Sequence, residues 1–278
     1  MKKIIAAADA VNFSEEQLIH FNAVAKLIGG KLVVVFLENI VGATFPMVGA
    51  TPYGAYTYME EMDEKSMEAR RETIREKVKL FHTICEDKKI DARLHKKAGT
   101  PLEEIIRESR FADLLMVNNN ITFATLFETD PPKFVKDVLS EAQCPVLVLP
   151  SEQKEIKELV FTYNGSFSSM YAIRQFTNLF ESFTDKKVTV LYVDEHNTDK
   201  VHDEHLLREY LQHHYKNWEI KLLTGEPSSA IMTYLMHRNN YLLTLGAYGR
   251  SKFSQFFHHS DAEKILHTLN TPVFITHP

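Results

Sequence analysis

The chain has 278 residues, 44% hydrophobic and 25% charged, with a formal net charge of −5 and no long basic run. That length suits two ordinary domains or one large one, and that charge argues against nucleic acid as the main partner. Two cysteines, Cys85 and Cys144, are too few for a disulfide framework, so a reducing compartment is expected, with both thiols buried and inert. The N-terminal stretch "MKKIIAAADAVNF" is interrupted by Asp9 and is too short for a signal peptide or a membrane span, so the expectation is a cytoplasmic protein with no membrane partner.

In chain order, "KKIIAAAD" reads as a first strand. A helix follows, with Ser14 and Gln17 as a capping box and Leu18, Phe21, Ala25 and Ile28 as one apolar stripe. Gly29 and Gly30 are expected to end it. "KLVVVFL" (31–37) is a second strand. The segment 39–62 is rich in Gly, Pro and aromatics, including Phe45, Met47, Tyr53, Tyr56 and Tyr58. Its place after the second strand predicts a flap or contact surface, more than a ligand lid, over the first carboxyl edge. A long helix is expected from about Met59 to Glu86. Thr100-Pro101 marks another helix start, and "ADLLMV" (112–117) and "PVLVL" (145–149) are further strands.

The polar stretch "PSEQKEIK" then marks a boundary, after which the pattern starts again. "KELVFTYNGSFSSMYAIRQF" (157–176) aligns with residues 2–21 at an offset of 155, placing Asn164 opposite Asp9. Ile173, Phe176, Phe180 and Phe183 repeat the apolar stripe of the first helix. "AGTPLEEII" faces "TGEPSSAIM" at an offset of 126, and "CPVLVLP" faces "TPVFITHP" at 127. The first half therefore holds 29 extra residues between its second and third strands. "KVTVLYV" (187–193), "YLLTL" (241–245) and "PVFIT" (272–276) are the matching strands of the second half. Near-continuous apolar strands alternating with helices predict a parallel sheet covered on both faces. The final strands of the two halves are expected to pair with each other, since each is otherwise an open edge.

The opening strand, the "GTPLEEII" and "GEPSSAIM" turns and "YLLTLGAYGRS…HSDAEKILHTLNTPVFIT" together resemble the universal stress protein family, in two tandem copies. The resemblance implies an α/β fold: two tandem open five-stranded parallel-sheet domains, adenine nucleotide alpha hydrolase-like, forming an internal pseudo-dimer. The domains would be 1–150, with an insertion at 39–66, and 151–278. It further implies a cytoplasmic stress-response role and dimeric self-association through the final strand. Some members of the family bind ATP or a related nucleotide; others lack the motif and bind none.

The binding members carry a pattern resembling Gly-x2-Gly-x9-Gly-Ser/Thr after the fourth strand. Here Gly246, Gly249 and Ser260 fit it, while His259 stands where the third glycine would be. Glycines let backbone N–H groups approach phosphate, and a helix N-terminus at Ser260 favours an anion. Arg250 and Ser251 would stand beside them. His259 either blocks the approach or donates to phosphate. Asn164 replaces the aspartate of the resembled binders, and Val193 falls where backbone groups meet the base. ATP or AMP is thus expected only in the C-terminal half, with Mg only as its companion. The competing account gives Gly246 and Gly249 to a tight turn and Ser260 to a capping box with Glu263.

The first half has lost the pattern. Asn118 and Ile121 replace its glycines, Glu128 and Asp130 add negative charge, and Pro131-Pro132 replace the Gly-Ser step; Asp9 is kept. His205, Glu209 and His213 share a helix face by spacing, which reads as a solvated face and no metal site. No G-x-S-x-G elbow, Walker loop or CxxC pair is present, and Ser166 or Ser168 reads as a helix cap. Binding, not turnover, is therefore expected, with slow ATP hydrolysis as a weaker rival. A ligand-free scaffold using 39–62 is the main alternative.

Overall fold

The computed structural model describes the chain except for residues 41–45, 52–53, 60–63, 125–128, 153, 196–197, 237, 247–270 and 277, and gives backbone alone for 46–51 and 54–59. The first half runs β1 (Lys2–Asp9), α1 (Glu15–Ile28), β2 (Gly30–Asn39), β3 (Pro46–Thr51), β4 (Gly54–Met59), α2 (Glu64–Lys88), β5 (Ala92–Gly99), α3 (Pro101–Ser109), β6 (Leu114–Asn118), α4 (Lys133–Glu141) and β7 (Val146–Leu149). The second half runs β8 (Glu158–Thr162), α5 (Phe167–Leu179), β9 (Lys187–Asp194), α6 (Glu204–His214), β10 (Asn217–Thr224), α7 (Pro227–Leu235), β11 (Tyr241–Gly246) and β12 (Val273–Thr276).

Ten strands form one sheet in the order β10-β9-β8-β11-β12-β7-β6-β1-β2-β5. All pairings are parallel except that of β12 with β7, which is antiparallel through Val273–Val148, Phe274–Leu147 and Ile275–Val146. The expected pairing of final strands is therefore present, and it fuses two five-stranded halves into one continuous sheet. Neither β7 nor β12 is left as an edge.

Both faces of this sheet are covered, and this explains its apolar strands. In β1, Ile4, Ala6 and Ala8 face one core layer, while Ile5 and Ala7 face the other. The first layer includes the stripe of α1 (Leu18, Phe21, Ala25, Ile28) and Ile173, Phe176 and Phe180 of the second half. The halves also meet there through polar contacts. The Ser182 hydroxyl donates to the Leu27 carbonyl at 2.9 Å, and Lys2 Nζ donates to the Asn178 and Leu179 carbonyls at 2.7 and 2.9 Å.

Local signals were honoured with three differences. Ser14 caps α1 by accepting from the Gln17 N–H, but the Gln17 side chain donates to Asn118 instead of closing the box. Gly29 alone ends the helix, in the left-handed conformation that glycine tolerates; Gly30 already belongs to β2. The insertion carries a hairpin, β3–β4, which forms a two-stranded sheet of its own. The long helix therefore starts at Glu64 instead of Met59, because Met59 closes β4, whose Tyr56, Thr57 and Tyr58 are strand formers.

At the opposite end of the second half, the Thr189 hydroxyl on β9 bridges Glu158 of β8 and Glu219 of β10 at 2.6 and 3.2 Å. Lys187 Nζ lies 2.8 Å from Glu219 and 3.4 Å from Glu158. Hydrogen bonding from Lys187 is the main reason Glu219 is held down to about 2. A depressed carboxylate stabilises the fold above its unfolded value of about 4.3, and loses that contribution as pH falls toward the folded value. Carboxyl carbon NMR should place the Glu219 midpoint near 2, and Lys187→Met should move it up toward the ordinary range. An unmoved midpoint would contradict this assignment.

Candidate functional site

In each half the strand order reverses between the first strand and the fourth of the main sheet, and ligands of open α/β sheets sit at the carboxyl ends beside such a point. In the second half this point lies between β8 and β11, which pair directly. Three sequence-predicted residues converge on that edge. Asn164 follows the end of β8, Val193 sits one residue before the end of β9, and Gly246 ends β11. Gly249, Arg250, Ser251, His259 and Ser260 lie outside the described residues, as do Glu263 and Glu128.

The geometry gives Asn164 and Gly246 local roles as well. The Asn164 side-chain oxygen accepts from the Ser166 N–H at 3.1 Å and the Ser166 hydroxyl at 2.7 Å. Ser166 in turn caps α5 by accepting from the Ser169 N–H, so Ser166, not Ser168, is the cap. Gly246 lies against the first turn of α5. A β-carbon there would stand 2.4 Å from the Ser168 carbonyl oxygen and 2.7 Å from the Ser169 α-carbon.

One residue of this edge was not singled out in the sequence. His202 rests on Gly165, whose φ is +79° and whose added β-carbon would meet the His202 ring at 2.7 Å. The Tyr163 hydroxyl donates to the His202 carbonyl at 3.1 Å, and burial chiefly raises the Tyr163 pKa, with Asp203 and Tyr192 adding to it. The His202 imidazole lies 3.0 Å from Asp203 and remains 63% exposed. It thus leaves an exposed imidazole beside the Asn164 turn. The Asn164-Gly165 pair was the available signal, since a glycine there admits a ring against the backbone.

At the equivalent edge of the first half, larger side chains stand where the pattern has its two glycines. Ile121 is buried and Asn118 is 8% exposed. Phe123 meets Phe134, in the first turn of α4, edge-on with ring centroids 4.8 Å apart. The Phe123 carbonyl also accepts from Asn39 at the end of β2 at 3.3 Å. Pro132 precedes α4 without a side-chain cap. Asp9 is committed to its own turn, accepting from the Val11 N–H at 2.9 Å and Asn12 Nδ2 at 2.5 Å.

Elsewhere, His205, Glu209 and His213 lie exposed on α6, and no group of three metal-ligating side chains occurs among the described residues. Cys144 is buried, its thiol pushed up to about 12 by burial. Cys85 is only half-buried, which corrects the expectation for it, although burial raises its pKa too. Among the described residues no helix is long and apolar enough to cross a membrane.

No protein-family model matches the sequence, and no curated protein is similar enough to count as a relative. Solved structures do match. A universal stress protein from Archaeoglobus fulgidus DSM 4304 superimposes at a TM-score of 0.68 and 16% identity, over 99% of this chain and 96% of that one. A candidate universal stress protein from Pseudomonas aeruginosa UCBPP-PA14 does so at 0.61 and 12%, over 100% and 94%. A functionally unknown protein from Pseudomonas aeruginosa PAO1 gives 0.58 and 10%, over 100% and 93%. With its two matching five-stranded halves, the chain has the universal stress protein fold along its whole length.

Proposed function

We propose that this chain is a stress-response protein that acts by binding, and that its C-terminal half holds an adenine nucleotide. The convergence of Asn164, Val193 and Gly246 at one reversal point of strand order carries this reading. The base and ribose would lie along the Asn164–Val193 side, beside exposed His202. The phosphates would lie toward the segment after Gly246, where Gly249, Arg250, Ser251, His259 and Ser260 supply the donors by sequence. Magnesium would enter only with the nucleotide. The first half lacks both glycines and the Gly-Ser step and adds acidic residues by sequence, which supports a single nucleotide per chain.

Gently purified protein should release AMP, ADP or ATP on heating, as read by mass spectrometry. The emptied protein should give a saturable calorimetric response to millimolar Mg-ATP, and Gly249→Val, which fills the backbone approach, should abolish it. Empty protein with no response would reject the reading.

The second reading, a contact scaffold, draws on the hairpin β3–β4, which stands apart as its own sheet. It requires that deletion of 39–62 change the oligomeric mass; an unchanged mass profile counts against it.

A further inference from the structure

A cleft of about 410 Å³ opens at the carboxyl edge of the first half, beside the tips of β1 and β6. Two of its lining side chains are polar and more than nine-tenths buried: His20 is 7% exposed and Asn118 is 8% exposed. His20 has no hydrogen-bond partner among the described residues, and its ring nitrogens are not fully enclosed, so they are open to a ligand or to water. Burial lowers its pKa against the opposing pull of Glu16, so at neutral pH it offers one N–H and one bare nitrogen. Asn118 accepts from Gln17 Nε2 at 2.8 Å through its oxygen, which leaves its own amide hydrogens for the cleft.

The charge around this space has one sign. Asp9 and Glu16 line it, and among the described residues no lysine or arginine does. An adjoining cleft of about 340 Å³ shares Glu16 and His20 and adds Glu15. Glu15 is paired with Lys88 at 3.3 Å, whereas Glu16 has no ion pair among the described residues. Two carboxylates without a cation repel phosphate and attract positive charge. Two carboxylates and a bare imidazole nitrogen are acceptors, so the matching ligand is a donor. A bare metal ion does not suit the set: among the described residues no three ligating groups stand close enough to share one ion, so the ligand must span them.

We propose that this cleft is a second ligand site, which takes a small organic cation bearing amino groups. One amino group donates to Glu16 and another to the bare nitrogen of His20, Asp9 adds negative charge from its own turn, and Asn118 donates to a hydroxyl or carbonyl of the ligand. This site differs from the nucleotide reading in both half and charge, and it stands without it.

The test uses the full chain with 1,4-diaminobutane and spermidine, followed by calorimetry and by the His20 imidazole NMR signals. Inorganic phosphate and sorbitol serve as comparison probes. Saturable binding that shifts His20, weakens with salt and falls at least five-fold in Glu16→Gln is expected. Glu16 is exposed, so this variant should fold, and its Mg-ATP response should match that of the parent. An unmoved His20, an equal response to phosphate or sorbitol, or unchanged amine affinity in Glu16→Gln would each overturn the proposal.

Discussion

Replacing Gly246 by valine is expected to destabilise the protein by about 3 kcal/mol, the upper part of the range for overpacking. The new β-carbon would face backbone, not a side chain that can swing away: the Ser168 carbonyl oxygen at 2.4 Å, with the Ser168 carbonyl carbon and Ser169 α-carbon at 2.7 Å. Either β11 or the capped first turn of α5 must move, and both are pinned. β11 pairs with β8 and with β12, and α5 is held by Ser166 and Asn164. A midpoint lowered by roughly 6–12 °C in thermal unfolding is the corresponding reading for a chain of this size. Gly29→Ala is the comparison. Gly29 has φ +67° and nothing within 4 Å of an added β-carbon, so only the left-handed backbone is penalised, by about 1 kcal/mol. Equal losses in the two variants would contradict the account. The same geometry makes Gly246 a poor position for testing ligand binding, because its loss disturbs the edge whether or not a ligand is held there.

Phe176→Ala should cost about 3–5 kcal/mol, as for other buried aromatic truncations. Phe176 is fully buried and is the hub of an aromatic cluster. Its ring stacks on Phe180 at 4.4 Å and meets Phe161 and Phe274 edge-on, both at 5.4 Å. Phe274 lies on β12 opposite Leu147 of β7, so the cluster braces α5 against the seam between the halves. Phe176→Leu keeps most of the volume and should recover the larger part of the loss. Phe167→Ala, at a ring 68% exposed one helix face away, should stay within about 0.5 kcal/mol of the parent. Chemical denaturation of the three variants checks the order. A loss under about 1 kcal/mol for Phe176→Ala would mean the cluster does not brace the sheet.

These two residues illustrate what could be read from the sequence. Phe176 was legible because it repeats Phe21 at a fixed offset on a helical stripe, and both are buried. The alternation of the strands between two core layers followed from their continuous apolar character, and the β7–β12 pairing followed from two otherwise open edges. Gly246 was placed correctly at a strand tip, but its contact with Ser168 was hidden, since it joins residues far apart in the chain. The hairpin within the insertion was missed because glycines and prolines there read as loop, while backbone pairing overrode them.

The candidate site was legible only as a list. Asn164, Val193 and Gly246 were named from the family resemblance, and the sheet brings them to one edge. His202 and His20 were not, because neither lies in a motif. His20 stands next to Phe21 on a helix face that reads as surface until β6 brings Asn118 beside it. Asn118 itself read only as a lost glycine. Whether a buried histidine lines a hollow is decided by which strand neighbours its helix, and local sequence does not encode that.

Equilibrium dialysis of the full chain against Mg-ATP measures directly how many nucleotides each molecule holds. One per chain at saturation is the value this account requires, with the second half loaded and the first, which lacks the phosphate-binding glycines, empty of nucleotide. None at millimolar nucleotide, or two per chain, would contradict it.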